Sequence, residues 1–237
     1  MDGEDPRHEA LLADYPGAAR ARCYGDGWLS VDYPGEGLTR NIRCPVCALR
    51  KIEADVAILA PPRFREPVTL PHELAEWAAR GEHAQGIYLA GQVGTGKTHA
   101  AWSAAGAWCI AARVRPRLQA REQNGMRLGP SVVFTRVTDL LDDLRPGEEG
   151  RQRVRDCQQA ALLVLDDLGA EKPSEWTQER LYSIVDHRYA HCLPLMVTGN
   201  LPPGKLADQT GDRTASRLRE MCAVVPITGA DRRQPAA

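Results

Sequence analysis

The run Gly91-Gln92-Val93-Gly94-Thr95-Gly96-Lys97-Thr98 satisfies the pattern G-x-x-x-x-G-K-[ST] at every position, with apolar Ile87 to Ala90 before it and a helix-forming stretch after it. The chain must therefore pass from a buried strand through a tight turn into a helix. Glycines let backbone N–H groups close around an anion, and the positive N-terminal end of the following helix favours it. A nucleoside triphosphate suits such a loop, with Lys97 neutralising phosphate charge and the Thr98 hydroxyl reaching Mg²⁺.

From Arg63 onward, helical and short apolar segments alternate. A helix is expected near His72 to Arg80, a strand at Ile87 and a helix from Lys97 to about Ala112. A strand at Ser131–Phe134, helical Val137–Leu144, a strand at Ala161–Asp166 and a helix over Ser174–His191 follow. Strands at Leu193–Thr198 and Ala223–Ile227 flank a last helix around Arg213–Met221. This alternation predicts an α/β fold, a parallel sheet with helices on both faces.

Residues 1–60 show little sustained apolar periodicity and end at Pro61-Pro62, so they are expected to form a small module ahead of a main domain over 61–237. The net charge of −1 gives no global pull toward polyanions, and any such surface must be local. No stretch approaches the ~18 apolar residues of a membrane span, and the first residues are acidic and polar where a secretory signal would be basic and then apolar. Seven cysteines, an odd number spread through apparent core segments, point to reduced thiols and a cytoplasmic location.

Leu162-Leu163-Val164-Leu165-Asp166-Asp167 is an apolar strand that delivers two carboxylates at its C-terminal end, where ligands sit in open α/β sheets. Asp166 is expected to hold Mg²⁺, and Asp167 to polarise an attacking water. Asn200 ends the next strand, where its amide faces a terminal phosphate or simply tolerates the turn before Leu201-Pro202-Pro203. Arg213 and Arg217, four apart, share one helix face. They serve a neighbouring subunit's nucleotide or pair with Asp212 or Glu220 on the surface. Arg113, Arg115, Arg117, Arg121 and Arg127 form a locally basic excursion, either a track for a nucleic-acid backbone or a solvated loop.

Together these residues resemble the AAA+ ATPases of the DnaC-like helicase loaders and the related IstB-like transposition helpers, over most of Pro61 to Arg233. Gly91–Thr98 resembles their Walker A loop, Leu162–Asp167 Walker B, and Asn200 sensor 1. Arg213 and Arg217 resemble the box holding the arginine finger, Arg217 the better match. Leu168 to Lys172, Leu181 to Tyr189 and Gly229 to Arg233 add family-like segments. The resemblance implies a three-layer P-loop NTPase, an AAA+ core without a full helical lid, that binds ATP and Mg²⁺ and hydrolyses ATP weakly on its own. It also implies head-to-tail self-association, a replicative helicase gripped by the N-terminal module, single-stranded DNA and no membrane. A transposition helper, or a nucleotide-gated DNA-binding adaptor with negligible turnover, shares the same implications for the fold. Thr198-Gly199-Asn200 departs from the family's usual Thr-Ser-Asn, and the basic excursion looks like an insertion.

Cys44-Pro45-Val46-Cys47 has the spacing of half a zinc site, and Cys23 before Tyr24-Gly25-Asp26-Gly27-Trp28 resembles the cysteine-rich knuckle of some loaders. A closed site wants a fourth ligand. Arg20 stands at its usual place and cannot serve, which leaves His8 or another residue, or a metal-free turn.

Overall fold

The computed structural model describes Arg7 and residues 11–144, 147–169, 175–202 and 205–229, the side chains of Leu12, Arg20 and Thr177 excepted. Two compact units divide at Asp55 and Val56.

In the first unit, β1 (Arg20–Cys23), β2 (Trp28–Tyr33) and β3 (Leu38–Arg43) form an antiparallel meander, followed by α1 (Pro45–Ala57). Alternation decides which face is inside: Leu29 and Val31 of β2 are buried, and they join Leu11, Cys44, Val46 and Cys47 in a small core. Only β2 keeps this alternation clearly, while β3 is mostly exposed. That is why these strands do not stand out in the sequence.

The second unit holds a five-stranded sheet of β4 (Gly86–Ala90), β7 (Val132–Arg136), β8 (Leu162–Leu168), β9 (Leu195–Gly199) and β10 (Cys222–Pro226). Every pairing is parallel and the spatial order is β10-β4-β9-β8-β7. Strand β9 therefore lies between the strand before the glycine-rich loop and the strand that ends in two acids. The core strands are nearly continuous apolar runs because both faces are covered.

The helices are α2 (His72–Ala79), α3 (Lys97–Ala111), α4 (Val137–Asp143), α5 (Glu148–Gln159), α6 (Glu175–Ala190), α7 (Leu206–Thr210) and α8 (Asp212–Met221). On one face Val133, Leu163, Leu165, Leu195 and Val197 pack with Leu140 of α4, Ile184 of α6 and Leu218 of α8. On the other, α3 crosses β8 and β9, its Trp102 stacked on Phe134 of β7 with ring centroids 3.6 Å apart. The result is three layers.

In the second unit, helix α5, the strands β5 and β6 and the short α7 escape the sequence reading. Helix α5 is almost wholly charged and amide-bearing, with only Gly150 and Cys157 buried, so it lacks a readable apolar stripe. The basic excursion contains a hairpin of β5 (Arg121–Gln123) and β6 (Met126–Leu128). Its turn residues Asn124 and Gly125 have φ of 52° and 72°, the positive values that an Asn-Gly hairpin turn requires. That dipeptide was the available signal. The helix expected from Ser174 to His191 runs Glu175–Ala190, and Ser174 lies outside the described residues.

Candidate nucleotide site

The glycine-rich loop is fixed where it leaves β4. Ile227 N–H donates to Ala90 O at 2.7 Å, and Gly91 N–H to Gly199 O at 3.3 Å. A side chain at 91 would strike the Ile227 carbonyl and crowd Thr95 Oγ1, so the strands beside the loop enforce this glycine. Gly94 and Gly96 have φ of 86° and 94°, and Gly96 caps α3 directly before Lys97. The loop thus wraps onto a helix N-terminus, where backbone donors and the helix dipole favour an anion.

Lys97 is 8% exposed and folds its ammonium back on the loop, donating to Gly91 O at 2.9 Å and Gln92 O at 2.8 Å. Gln92 O also accepts from Thr95 Oγ1 at 2.9 Å. Gln92 and Val93 are exposed at the loop's crest.

Thr98 Oγ1 donates to Asp166, 3.0 Å from Oδ1 and 3.1 Å from Oδ2. Asp166 is 3% exposed. Burial pushes its carboxyl up, the hydroxyls of Thr198 and Thr98 pull it down, Asp167 raises it and Arg136 lowers it, with a net upward shift. The hydroxyl and the buried carboxylate are hard oxygen donors side by side, a set that fits Mg²⁺.

Asp167 sits on a β-bulge. Leu165 pairs with Val197 and Leu168 with Gly199, so β8 spends three steps where β9 spends two, and both acids lie in the slack. Asp167 has φ of 61°, an uncommon left-handed conformation for a side-chain-bearing residue, and it is only half-buried. Thr198 holds the bulge: its Oγ1 donates to Asp166 Oδ1 at 2.7 Å and accepts from Asp167 N–H at 2.9 Å. Asn200 follows β9 and is exposed, at the sheet end between the loop and the bulge.

The structure therefore gathers Gly91 to Thr98, Asp166, Asp167 and Asn200 at the C-terminal ends of adjacent strands. It does not bring Arg213 or Arg217 to them. Arg217 Nε donates to Asp186 of α6 at 3.0 Å, with Glu220 at a looser 4.0 Å, and its guanidinium stacks 4.2 Å over Tyr189. Arg213 lies 4.7 Å over Tyr182. Asp212, a partner expected for this pair, does not serve Arg217; the cross-helix Asp186 does. Sequence reasoning also missed Thr198, and Arg136, which pairs across from Asp166 on the neighbouring strand.

Cys23, Cys44 and Cys47 converge, their sulfurs within 4.8 Å of one another and those of Cys23 and Cys47 at 3.3 Å. Backbone N–H groups of Gly25 and Cys47 donate to Cys23 Sγ at 3.4 Å and Cys44 Sγ at 3.5 Å. Burial acts upward on Cys23, but the Gly25 N–H and the neighbouring thiols hold it below the ordinary value, whereas burial first pushes Cys47 up to about 12. Three clustered sulfurs with N–H donors suit a thiophilic ion such as zinc. No fourth ligand joins them among the described residues, and His8 lies outside those residues.

Residues 72–236 match the sequence model of the IstB-like ATP binding proteins. The chain belongs to that family. Relatives include an ATP-binding protein of an insertion sequence from Mycobacterium tuberculosis, 28% identical over 70% of this chain and 59% of its own length. The replicative helicase loader DnaI of Bacillus subtilis is 24% identical over 64% of this chain and 48% of its own length. The chain thus spans roughly half the length of these curated relatives. Among solved structures, the DnaC helicase loader superposes with a TM-score of 0.57 at 21% identity, over 71% of this chain and all of that one, which shows a shared fold. The family-like segment from Ala170 to Lys172 and the closing residues from Ala230 to Arg233 lie outside the described residues. No described helix is long and apolar enough to cross a membrane.

Proposed function

We propose that this chain is an ATP-hydrolysing, DnaC-like replicative helicase loader. The observation that carries the ATPase is the direct bond from Thr98, on the loop side, to Asp166, on the acidic side, with Asp167 beside it on a strained bulge. Lys97 would exchange its two carbonyl partners for phosphate oxygens. Mg²⁺ held by Thr98 and Asp166 would neutralise charge on the triphosphate. Asp167 accepts the proton of a water whose oxygen attacks the terminal phosphorus as the bond to the leaving phosphate breaks. Asn200 orients that water or the terminal phosphate.

Isothermal titration and phosphate release test this reading. Lys97→Ala is expected to abolish binding or turnover, and Asp167→Asn to retain binding while losing turnover. Absence of any heat with ATP and Mg²⁺ in well-folded protein would overturn it. Arg217 is proposed as the finger offered to a neighbouring copy in a head-to-tail assembly, so hydrolysis is weak alone. Arg217→Ala should keep ATP affinity and lose assembly-stimulated hydrolysis; full stimulation would contradict the assignment.

The loading role rests on likeness to DnaI and DnaC, with the N-terminal unit as partner-binding module and single-stranded DNA as substrate. The family match and the insertion-sequence relative support a second reading, a transposition helper. A pull-down from the native source separates them: a hexameric helicase supports loading, an integrase-type transposase the helper. Zinc on Cys23, Cys44 and Cys47 with a further ligand is also proposed. Substoichiometric zinc in protein purified without chelator would remove it.

A further inference from the structure

The N-terminal sheet leaves aromatic and cationic side chains on its outer face. Register fixes its members. With Leu29 and Val31 turned into the small core, Trp28, Ser30 and Asp32 turn outward. Their partners on β3 are Arg43, Asn41 and Thr39, and Arg22 of β1 lies beside Ser30. Tyr24 leaves β1 just where β2 begins with Trp28, so one more step of the Cys23–Leu29 pairing would set the two rings opposite each other. Trp28 is 42% exposed and Tyr24 73%.

The Arg43 guanidinium stacks 4.1 Å from the Trp28 ring centroid. Among the described residues Arg22 and Arg43 make no ion pair. Asp26 accepts from the Trp28 backbone N–H at 2.9 Å and Asp32 from the Thr39 hydroxyl at 2.8 Å. Ser30 and Asn41 bond to each other at 2.6 Å and leave the amide's donors available. The face thus combines flat rings, one braced by a cation, with arginines that make no ion pair, beside the carboxylates of Asp26 and Asp32. Unpaired bases stack on such rings, and their phosphates suit the cations, while a duplex keeps its bases stacked inside.

We infer that the outer face of the β1–β2–β3 sheet binds single-stranded nucleic acid, with Trp28 and Tyr24 stacking bases and Arg22 and Arg43 holding phosphates. This site adds to the proposed function and does not depend on the nucleotide site being correct.

Fluorescence anisotropy of the full chain with a labelled oligodeoxythymidine, without ATP, tests it. A base-stacking ring is worth about 1–3 kcal/mol, so Trp28→Ala should weaken binding roughly 5- to 150-fold while Trp28→Phe retains most of it. Arg43→Gln, which leaves the ring in place, should weaken binding and flatten the salt dependence by about 0.7 in logarithmic slope. Leu38→Ala, at an exposed position whose register puts it on the opposite face, should change nothing. ATP affinity of Trp28→Ala should match wild type, which separates failure here from failure of the nucleotide site. Undiminished oligonucleotide binding by both Trp28→Ala and Arg43→Gln, or equal affinity for duplex, would overturn the inference. So would an acidic polypeptide that binds and is lost in Trp28→Ala while the oligonucleotide fails to bind.

Discussion

One hydroxyl organises the acidic half of the site. Thr198 donates to Asp166 and accepts from the Asp167 N–H, so it joins the buried carboxylate to the bulge that presents the second acid. Thr198→Val keeps the shape but leaves the Asp167 N–H without its partner and Asp166 with the Thr98 hydroxyl alone, at a cost of about 1–3 kcal/mol for an unsatisfied buried group. We expect turnover to fall much further than ATP affinity, measured by phosphate release against titration calorimetry; parallel losses would place Thr198 in ground-state binding instead. Gly199 next to it explains the departure from Thr-Ser-Asn. A side chain there would strike the Tyr88 hydroxyl, which donates to Leu201 O at 2.8 Å, and would crowd Leu168 O. Gly199→Ser should cost roughly 1–3 kcal/mol by overpacking, and Tyr88→Val should make the double variant less unstable than the sum of the singles. Additive melting shifts would show that the two do not share this space. The acids and the loop were legible because their spacing is local. Thr198 and Tyr88 were not, because their roles exist only once β9 slides between β4 and β8.

At the scale of elements, Arg188 does work that no local pattern announces. Fully buried on α6, it donates to the carbonyls of Cys157 and Ala160 at 2.9 Å each and to Gln158 O at 3.3 Å, at the C-terminal end of α5, and also to Pro194 O before β9. Burial pulls its guanidinium down to about 10, still well above neutrality, so a cation sits where the end of α5 gathers unpaired carbonyls. It pins a polar helix that has little apolar face of its own. Arg188→Met strips that partner from the carbonyls at the end of α5, and the expected loss is at least ~3 kcal/mol, read from denaturant midpoints. A loss below ~1 kcal/mol would mean water replaces the guanidinium freely. The family-like run from Leu181 to Tyr189 marked this helix in the sequence, but burial was invisible there because arginine is normally read as surface. Asp186, three turns from the start of α6, was hidden likewise: its partner Arg217 lies 31 residues on, and only packing of α6 on α8 joins them.

Across the whole molecule, the two units differ in how they can be stable. The second encloses a sheet covered on both faces, whereas the first has a core of Leu11, Leu29, Val31, Cys44, Val46 and Cys47, of which two are candidate metal ligands. A unit so small rarely gains enough from burial alone and usually needs a staple. Its fold was the least legible part of the sequence for the same reason: few apolar residues, one clearly alternating strand, and a half-motif of cysteines. Scanning calorimetry of the full chain should therefore respond differently to two additions. A zinc chelator should lower the melting of the unit bearing Cys23, Cys44 and Cys47, because removing an ion bound only by the folded state removes its binding energy. Mg²⁺ and ATP at about 100 times the dissociation constant should raise the melting of the second unit by the equivalent of ~2.7 kcal/mol. Lys97→Ala should erase the second effect and leave the first. Insensitivity to chelator, together with no zinc by elemental assay, would make the three thiols a metal-free turn and leave the small core around Leu29 and Val31 to hold the sheet without a metal.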